Sequence, residues 1–182
     1  MKNNICTHQN CTLKSYETLD KCVLHCHKND YHTDKSSDLL SGFYKELKEY
    51  VLNQILKDGD LTSEEFGESF TKDEVRESLN SDYIINKKYL DDKNYSDDRI
   101  KALLALSSIQ IIFSNIHFPK RDSRDRFDYL KILNLFGKIH FDCCEFYLFS
   151  LDLKEAELFF QDCTFHKDWS LQDYNVLENV DD

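Results

Sequence analysis

The residues of this chain with the clearest chemical potential are four cysteines and three histidines within 6–27, in the stretch "CTHQNCTLKSYETLDKCVLHCH". Thiolate sulfur and imidazole nitrogen are ligands that tetrahedral zinc prefers in proteins. Cys6 and Cys11 form one pair with four residues between them, and a polar loop separates them from Cys22 and His25. Two ligand pairs joined by one loop are typical of a small structural zinc site. We therefore predict that these four residues bind Zn²⁺.

The pattern leaves other chemistries to be weighed. Cys26 directly follows His25, so either residue could supply the fourth ligand. A dithiol redox centre is disfavoured because the chain contains no Cys-x-x-Cys. A catalytic zinc site keeps an open coordination position, and no glutamate within the cluster is placed as its general base. Unliganded surface cysteines are the remaining alternative to a closed zinc site.

Composition limits the class of protein. The 182 residues include 41% hydrophobic residues, which suits one folded domain with an appendage or two small modules. The formal net charge of -11 argues against general affinity for nucleic acid phosphates. No signal-peptide core and no run of about 20 apolar residues is present. We therefore expect a cytoplasmic protein without a membrane partner, whose seven cysteines are reduced or bound to metal.

The middle of the chain, 36–108, is predicted to be an acidic helical region. Apolar residues recur at helical spacing from Leu40 to Leu56. Thr71, three residues before a glutamate, has the spacing of a capping box at the start of a second helix. A further helix is expected from about Ser96, with acidic residues at its N-terminus, where the helix dipole favours them.

The pattern changes at residue 111 to short segments with apolar residues at the first, third, sixth and eighth positions. They read "IIFSNIHF" from 111, "IHFDCCEF" from 139 and "LDLKEAELF" from 151, and "CTF" at 163–165 begins the pattern again. Such alternation predicts strands that bury one face.

Further histidines and cysteines lie within or next to these segments. The histidines are predicted to alternate outward from the strands, without an identifiable catalytic partner: His117, His140 and His166. The cysteines are interpreted as small buried apolar residues: Cys143, Cys144 and Cys163.

Together, the N-terminal ligand spacing and the triplets at 144–146, 156–158 and 163–165 resemble bacterial pentapeptide-repeat proteins that begin with a Cys-x4-Cys, Cys-x2-His zinc knuckle. The resemblance implies a right-handed β-helix in which small and large side chains stack as ladders along the axis. The unequal spacing of the segments predicts a short, irregular stack.

The predicted fold class is α+β, with a zinc-knuckle segment followed by a helical middle and a short β-helix-like stack. The corresponding boundaries are 1–35 for the zinc knuckle, 36–108 for the acidic helical region, 109–171 for the pentapeptide-like stack and 172–182 for an acidic tail.

The function predicted from these features is a non-catalytic, zinc-binding interaction or scaffolding protein with an unidentified protein partner and no small-molecule substrate. One alternative is a nucleic-acid-related role. Some pentapeptide-repeat proteins mimic DNA and bind topoisomerases, and the knuckle could also bind nucleic acid directly. The second alternative is a zinc-dependent hydrolase.

Overall fold

The computed structural model describes residues 5–17, 19–28, 36–57, 59–85, 90, 96–120, 127–153, 156–169 and 175–177, with only the backbone described at 36–38, 85 and 175–177. The helices are α1 (Ser36–Ile55), α2 (Lys72–Leu79), α3 (Asp82–Ile85), α4 (Asp98–Ala105) and α5 (Leu130–Leu133). The strands are β1 (Leu61–Ser63), β2 (Glu68–Phe70), β3 (Gln110–Ser114), β4 (His117–Phe118), β5 (Lys138–Asp142), β6 (Glu145–Phe146), β7 (Glu157–Gln161), β8 (Thr164–Phe165) and β9 (Asn175–Leu177).

The first two predicted helices are confirmed. On α1, Phe43, Leu47 and Val51 follow helical spacing and are completely buried. At the start of α2, the Thr71 hydroxyl accepts a hydrogen bond from the Glu74 N–H, and the Glu74 carboxylate accepts one from the Thr71 N–H. This reciprocal pair is a capping box, which satisfies two backbone donors that the helix leaves unpaired.

Besides the predicted helix α4, the remainder of 36–108 contains the short helix α3 and the hairpin β1–β2, neither of which was predicted. Helix α4 begins close to the expected position, and the Asp97 carboxylate caps it by accepting the Arg99 N–H. The antiparallel hairpin β1–β2 was not anticipated, because its three-residue strands are too short to show a clear alternation. Within the described part of the chain, no helix combines the length and apolarity needed to span a bilayer.

Two sheets of parallel strands form the C-terminal part of the chain. The larger sheet has the order β3-β5-β7-β9, and the smaller has the order β4-β6-β8. In the larger sheet the pairing aligns Phe113 with Phe141 and Phe141 with Phe160. In the smaller sheet the pairing aligns Phe118 with Phe146 and Phe146 with Phe165. The chain is therefore a mixture of helices and parallel sheets.

A repeated strand–bend–strand unit at 110–118, 138–146 and 157–165 contributes one strand to each sheet. In every unit a five-residue strand leads through a short bend into a two-residue strand. One residue of each bend has a φ between 51° and 58°, in the left-handed region: Asn115, Cys143 and Asp162. These recurring bends set the boundary between the two sheets.

The third unit differs from the sequence prediction. The predicted start at Leu151 is wrong, because the unit begins at Glu157 and includes 163–165, where the pattern suggested a fourth repeat. The pairing of Ile139 with Leu158 fixes this register. Leu151 is buried, but from a connecting segment rather than from a strand. An apolar-x-apolar triplet indicates burial, and a packed loop can bury side chains as well as a strand can.

The prediction that the cysteines in this part of the chain are buried needs correction. Cys144 is completely buried as expected, whereas Cys143 is exposed because it occupies the left-handed bend, where the chain changes direction. The acidic tail predicted at 172–182 contains a strand, Asn175–Leu177, which pairs in parallel with β7. Its backbone hydrogen bonds do not depend on side-chain polarity. The rest of this tail lies outside the described residues.

Two ladders of phenylalanine rings fill the space between the sheets. Phe141 stacks on the rings on either side along the larger sheet, with centroid distances of 5.7 Å to Phe113 and 5.2 Å to Phe160. Along the smaller sheet, Phe146 stacks on Phe118 with a centroid distance of 5.1 Å and on Phe165 with one of 5.2 Å. The two ladders meet edge to face, with 83° between the rings of Phe141 and Phe146. Both contact geometries are favourable for aromatic rings.

Helix α1 covers the outer edge of β3 with side chains. The Gln54 amide accepts the Ile112 N–H at 2.6 Å and donates to the Ile112 carbonyl at 2.7 Å. The Tyr50 hydroxyl donates to the same carbonyl and accepts the Ser114 N–H at 3.2 Å. These contacts satisfy backbone groups that an unpaired strand edge would otherwise expose.

Replacement of Phe141 by alanine tests the importance of the ladders. The ring is completely buried between four phenylalanines, so Phe141→Ala is expected to lower the free energy of unfolding by about 3–5 kcal/mol. Phe149, which is 60% exposed, is the matched control, and its replacement should cost less than about 1 kcal/mol. Urea unfolding of both variants measures the difference, and equal losses would contradict the ladder as the core of this region.

Candidate metal centre

A tight hairpin positions the first pair of predicted ligands. The Cys6 N–H donates to the Leu13 carbonyl at 2.9 Å, and the Cys11 N–H donates to the His8 carbonyl at 3.1 Å. Asn10 lies at the turn with a φ of 63°, a conformation that asparagine adopts more readily than most residues. The hairpin thereby turns both thiols towards the same side.

A single helical turn positions the second pair. The Cys26 N–H donates to the Cys22 carbonyl at 2.9 Å, and the His25 N–H donates to the same carbonyl at 3.1 Å. Residues three apart on such a turn lie on one face, so the side chains of Cys22 and His25 point in the same direction.

The structure brings together all four predicted ligands: Cys6, Cys11, Cys22 and His25. Their ligand atoms all lie within 4.8 Å of one another. His25 Nδ1 is 3.5 Å from Cys6 Sγ and 3.2 Å from Cys22 Sγ, and the Sγ atoms of Cys11 and Cys22 are 3.8 Å apart. This group could hold a metal ion.

Burial shifts the pKa values of three of the four cluster residues. It raises the pKa of the Cys22 thiol to about 12 and also raises the pKa of Cys11. Burial, followed by the charge of the neighbouring His8, lowers the pKa of His25 to about 4. The imidazole is therefore neutral at pH 7, as a ligand must be, whereas these two thiols need a nearby cation to become thiolates.

Cys26 faces other groups. The Lys28 ammonium donates to Cys26 Sγ at 3.4 Å and to the Cys26 carbonyl at 2.5 Å. Burial lowers the pKa of Lys28 to about 8. Among the described residues, the four-ligand group contains His25 rather than Cys26. This placement favours His25 over the alternative ligand that the sequence left open.

The turn at 22–26, which carries two of the candidate ligands and is called the metal-ligand turn below, contacts both helix α1 and the sheets. The Leu24 carbonyl accepts the His117 N–H at 2.9 Å, at the edge of β4 that faces away from β6. Val23 packs close to Gly42 of α1. A Cβ atom added at Gly42 would lie 3.6 Å from the Val23 side chain. Cys22, Val23 and Leu24 are all part of the hydrophobic core.

A second cluster was not identified from the sequence. The ligand atoms of His27, His117 and Glu145 also lie within 4.8 Å of one another. The prediction that His117 points outward is wrong, because the residue is buried against the metal-ligand turn and faces Glu145. Burial lowers the pKa of His117 to about 4. A signal was available, because alignment of the first two repeat segments places this histidine and glutamate at equivalent positions of paired strands.

A cleft of about 410 Å³ adjoins the first cluster. It is lined by residues 8–13 of the hairpin, by Glu46 and Glu49 of α1, and by Asn115 at the first bend. The cleft is therefore bounded by the hairpin that carries Cys6 and Cys11, by helix α1 and by the first bend of the sheets.

Comparison of the chain with models of known protein families, with curated proteins and with solved structures gives no match.

Replacement of single thiols distinguishes the two assignments of the fourth ligand. Cys22→Ser should lose one equivalent of bound metal relative to the wild type, because it removes a ligand that contacts both His25 and Cys11. Cys26→Ser is the matched control and should retain that equivalent. Metal analysis of the purified proteins by mass spectrometry provides the measurement. Retention of the metal by Cys22→Ser, or its loss from Cys26→Ser, would contradict the assignment.

Metal affinity should depend steeply on pH. Because Cys11 and Cys22 are protonated at pH 7 without metal, binding releases at least two protons, and a fall of one pH unit weakens the apparent affinity about 100-fold. Protonation of His25 adds to this loss only as the pH approaches about 4. Cobalt titration followed through the thiolate-to-cobalt absorption band measures the slope for this cluster alone. A change of tenfold or less per pH unit would contradict the prediction.

Proposed function

We propose that the protein is a non-catalytic interaction module in which Cys6, Cys11, Cys22 and His25 bind a structural Zn²⁺. The observation that carries this proposal is the closed donor set of three sulfurs and one nitrogen, all provided by the protein. Closed sets of this composition are used for structural zinc, whereas catalytic zinc retains a position for water.

The separations between the ligand atoms support zinc. Bond lengths of about 2.3 Å to sulfur and 2.0–2.1 Å to nitrogen, at tetrahedral angles, put two sulfurs about 3.8 Å apart and a sulfur and a nitrogen about 3.6 Å apart. The measured separations are 3.8 Å between Cys11 and Cys22, and 3.5 Å and 3.2 Å between the sulfurs and His25. Thiolate-rich sites also select zinc over magnesium, calcium or manganese.

The knuckle carries exposed apolar side chains that a partner could cover. Ile5, which directly precedes Cys6, is 63% exposed, and Leu19, between Cys11 and Cys22, is 42% exposed. Exposed apolar side chains on a rigid support suit a protein partner better than a phosphate backbone. We define Ile5 and Leu19 as the knuckle surface.

We further propose that the repeated units form a short, right-handed, pentapeptide-like stack that holds this knuckle. Parallel pairing of successive units supports the proposal, because parallel crossovers are almost always right-handed. The distance in sequence from Ile139 to Leu158 is close to the length of four pentapeptides. The aligned phenylalanines correspond to the large side chains that such a stack places along its axis.

Substitution of the knuckle surface tests the proposed function in the cells that make the protein. Affinity purification with quantitative mass spectrometry compares the wild type with an Ile5→Glu, Leu19→Glu double variant, with Cys22→Ser, and with Phe149→Glu as a control at an exposed site remote in sequence. We expect a partner protein whose recovery falls at least tenfold with the double variant and with Cys22→Ser, but is unchanged with Phe149→Glu.

The same proteins recovered with all four baits would contradict an interaction through the knuckle. Zinc stoichiometry, measured on the same preparations, tests the metal separately. A zinc-loaded wild type without a specific partner would overturn the interaction proposal and leave the metal assignment intact.

A further inference from the structure

The second cluster joins three elements that are distant in sequence. His27 follows the metal-ligand turn, His117 begins β4, and Glu145 begins β6. Pairing of β4 with β6 places His117 directly beside Glu145. Their arrangement is therefore fixed by the sheet, while His27 comes from the segment that covers it.

The two distances from histidine nitrogens to the Glu145 carboxylate are longer than those of good hydrogen bonds. His117 Nε2 is 3.5 Å from Glu145 Oε1, and His27 Nδ1 is 3.9 Å from Glu145 Oε2. Good N–H···O hydrogen bonds are about 2.9 Å long. Two ligand atoms about 2.1 Å from one tetrahedral ion are about 3.4 Å apart. The separation between His117 and Glu145 therefore matches that of two ligands of one ion. His27 Nδ1 lies 3.1 Å from the Tyr147 hydroxyl and would exchange that hydrogen bond for the ion.

His117 presents Nε2 to the carboxylate. Its side chain is 10% exposed, and Nε2 lies 3.5 Å from Glu145 Oε1. Nδ1, on the other side of the ring, is buried without a hydrogen-bond partner among the described residues. An ion held by Nε2 and Oε1 would therefore lie between the strands β4 and β6.

Neighbouring side chains hold the carboxylate in position. The Tyr147 hydroxyl donates to Glu145 Oε2 at 2.7 Å, and His166 Nε2 lies 2.9 Å from the same oxygen. The rings of Tyr147 and His166 stack with their centroids 4.0 Å apart. These contacts act on Oε2, whereas His117 faces Oε1. Metal sites commonly have outer partners of this type, which orient a carboxylate ligand.

We propose that His27, His117 and Glu145 form a second metal site, which binds a divalent transition-metal ion such as Zn²⁺. Two imidazoles and one carboxylate suit such an ion better than Ca²⁺ or Mg²⁺, which prefer oxygen ligands. The side chain of His27 is 68% exposed, so the ion is accessible to solvent and has a coordination position for water or for a ligand from another molecule. The site does not depend on the proposed knuckle function.

Cobalt titration of protein without a histidine tag tests this site. The wild type should bind two equivalents, of which one produces the thiolate-to-cobalt band and the other absorbs without it. Glu145→Gln and His27→Ala should retain the thiolate-bound equivalent and weaken the second by at least about 100-fold, the upper end of the loss seen for outer partners of metal ligands. Zinc competition under the same conditions gives the affinity for Zn²⁺.

Two matched variants control for general effects of charge and histidine number. Glu157→Gln removes a strand glutamate that pairs with Lys138, and His140→Ala removes a strand histidine outside the cluster. Both should bind two equivalents. The thiolate band reports in every variant that the knuckle remains folded. One equivalent in the wild type, or a second equivalent bound by Glu145→Gln with wild-type affinity, would overturn the proposal.

Discussion

The structure depends on how the outer edges of its first two parallel strands are covered. An uncovered edge leaves backbone donors and acceptors unpaired. Such groups cost free energy when they are buried, and when they are exposed they allow another strand to pair with the edge. On β3 the edge is occupied by the side-chain amide of Gln54, which forms both hydrogen bonds of a strand partner. On β4 it is occupied by the backbone carbonyl of Leu24. Each later strand then adds to a sheet whose first edge is already covered.

The Leu24 contact links the candidate metal centre to the sheets. Leu24 lies between two of the cluster residues, Cys22 and His25, on one helical turn. A metal ion that holds this turn also holds the carbonyl that covers β4, so loss of metal would affect the strand edge as well as the knuckle. His27, two residues after His25, lies 3.9 Å from the carboxylate of Glu145 on β6. One short segment therefore contributes to the covered edge and to both clusters.

Local features of the molecule could be predicted from sequence, whereas features that depend on distant contacts were predicted only in part. The four members of the candidate metal cluster follow from spacing within one short segment, and the capping box at Thr71 follows from two residues. The third repeat was misplaced because Leu151 is buried without being in a strand. The cluster around Glu145 was missed because its histidines come from separate elements. Alignment of the first two repeat units places His117 beside Glu145, but His27 comes from a segment whose position no local pattern indicates.

The segments that connect the repeat units, 119–137 and 147–156, differ in length and in structure. The first contains α5, whereas no helix or strand is found in the described part of the second. Strand pairing nevertheless keeps the same register on both sides of each connection. The distance between neighbouring strands, about 4.8 Å, therefore does not depend on the size of the segment that connects them. Insertions or replacements within these connections can accordingly change the outline and surface chemistry of the protein while the alignment of its aromatic interior is preserved.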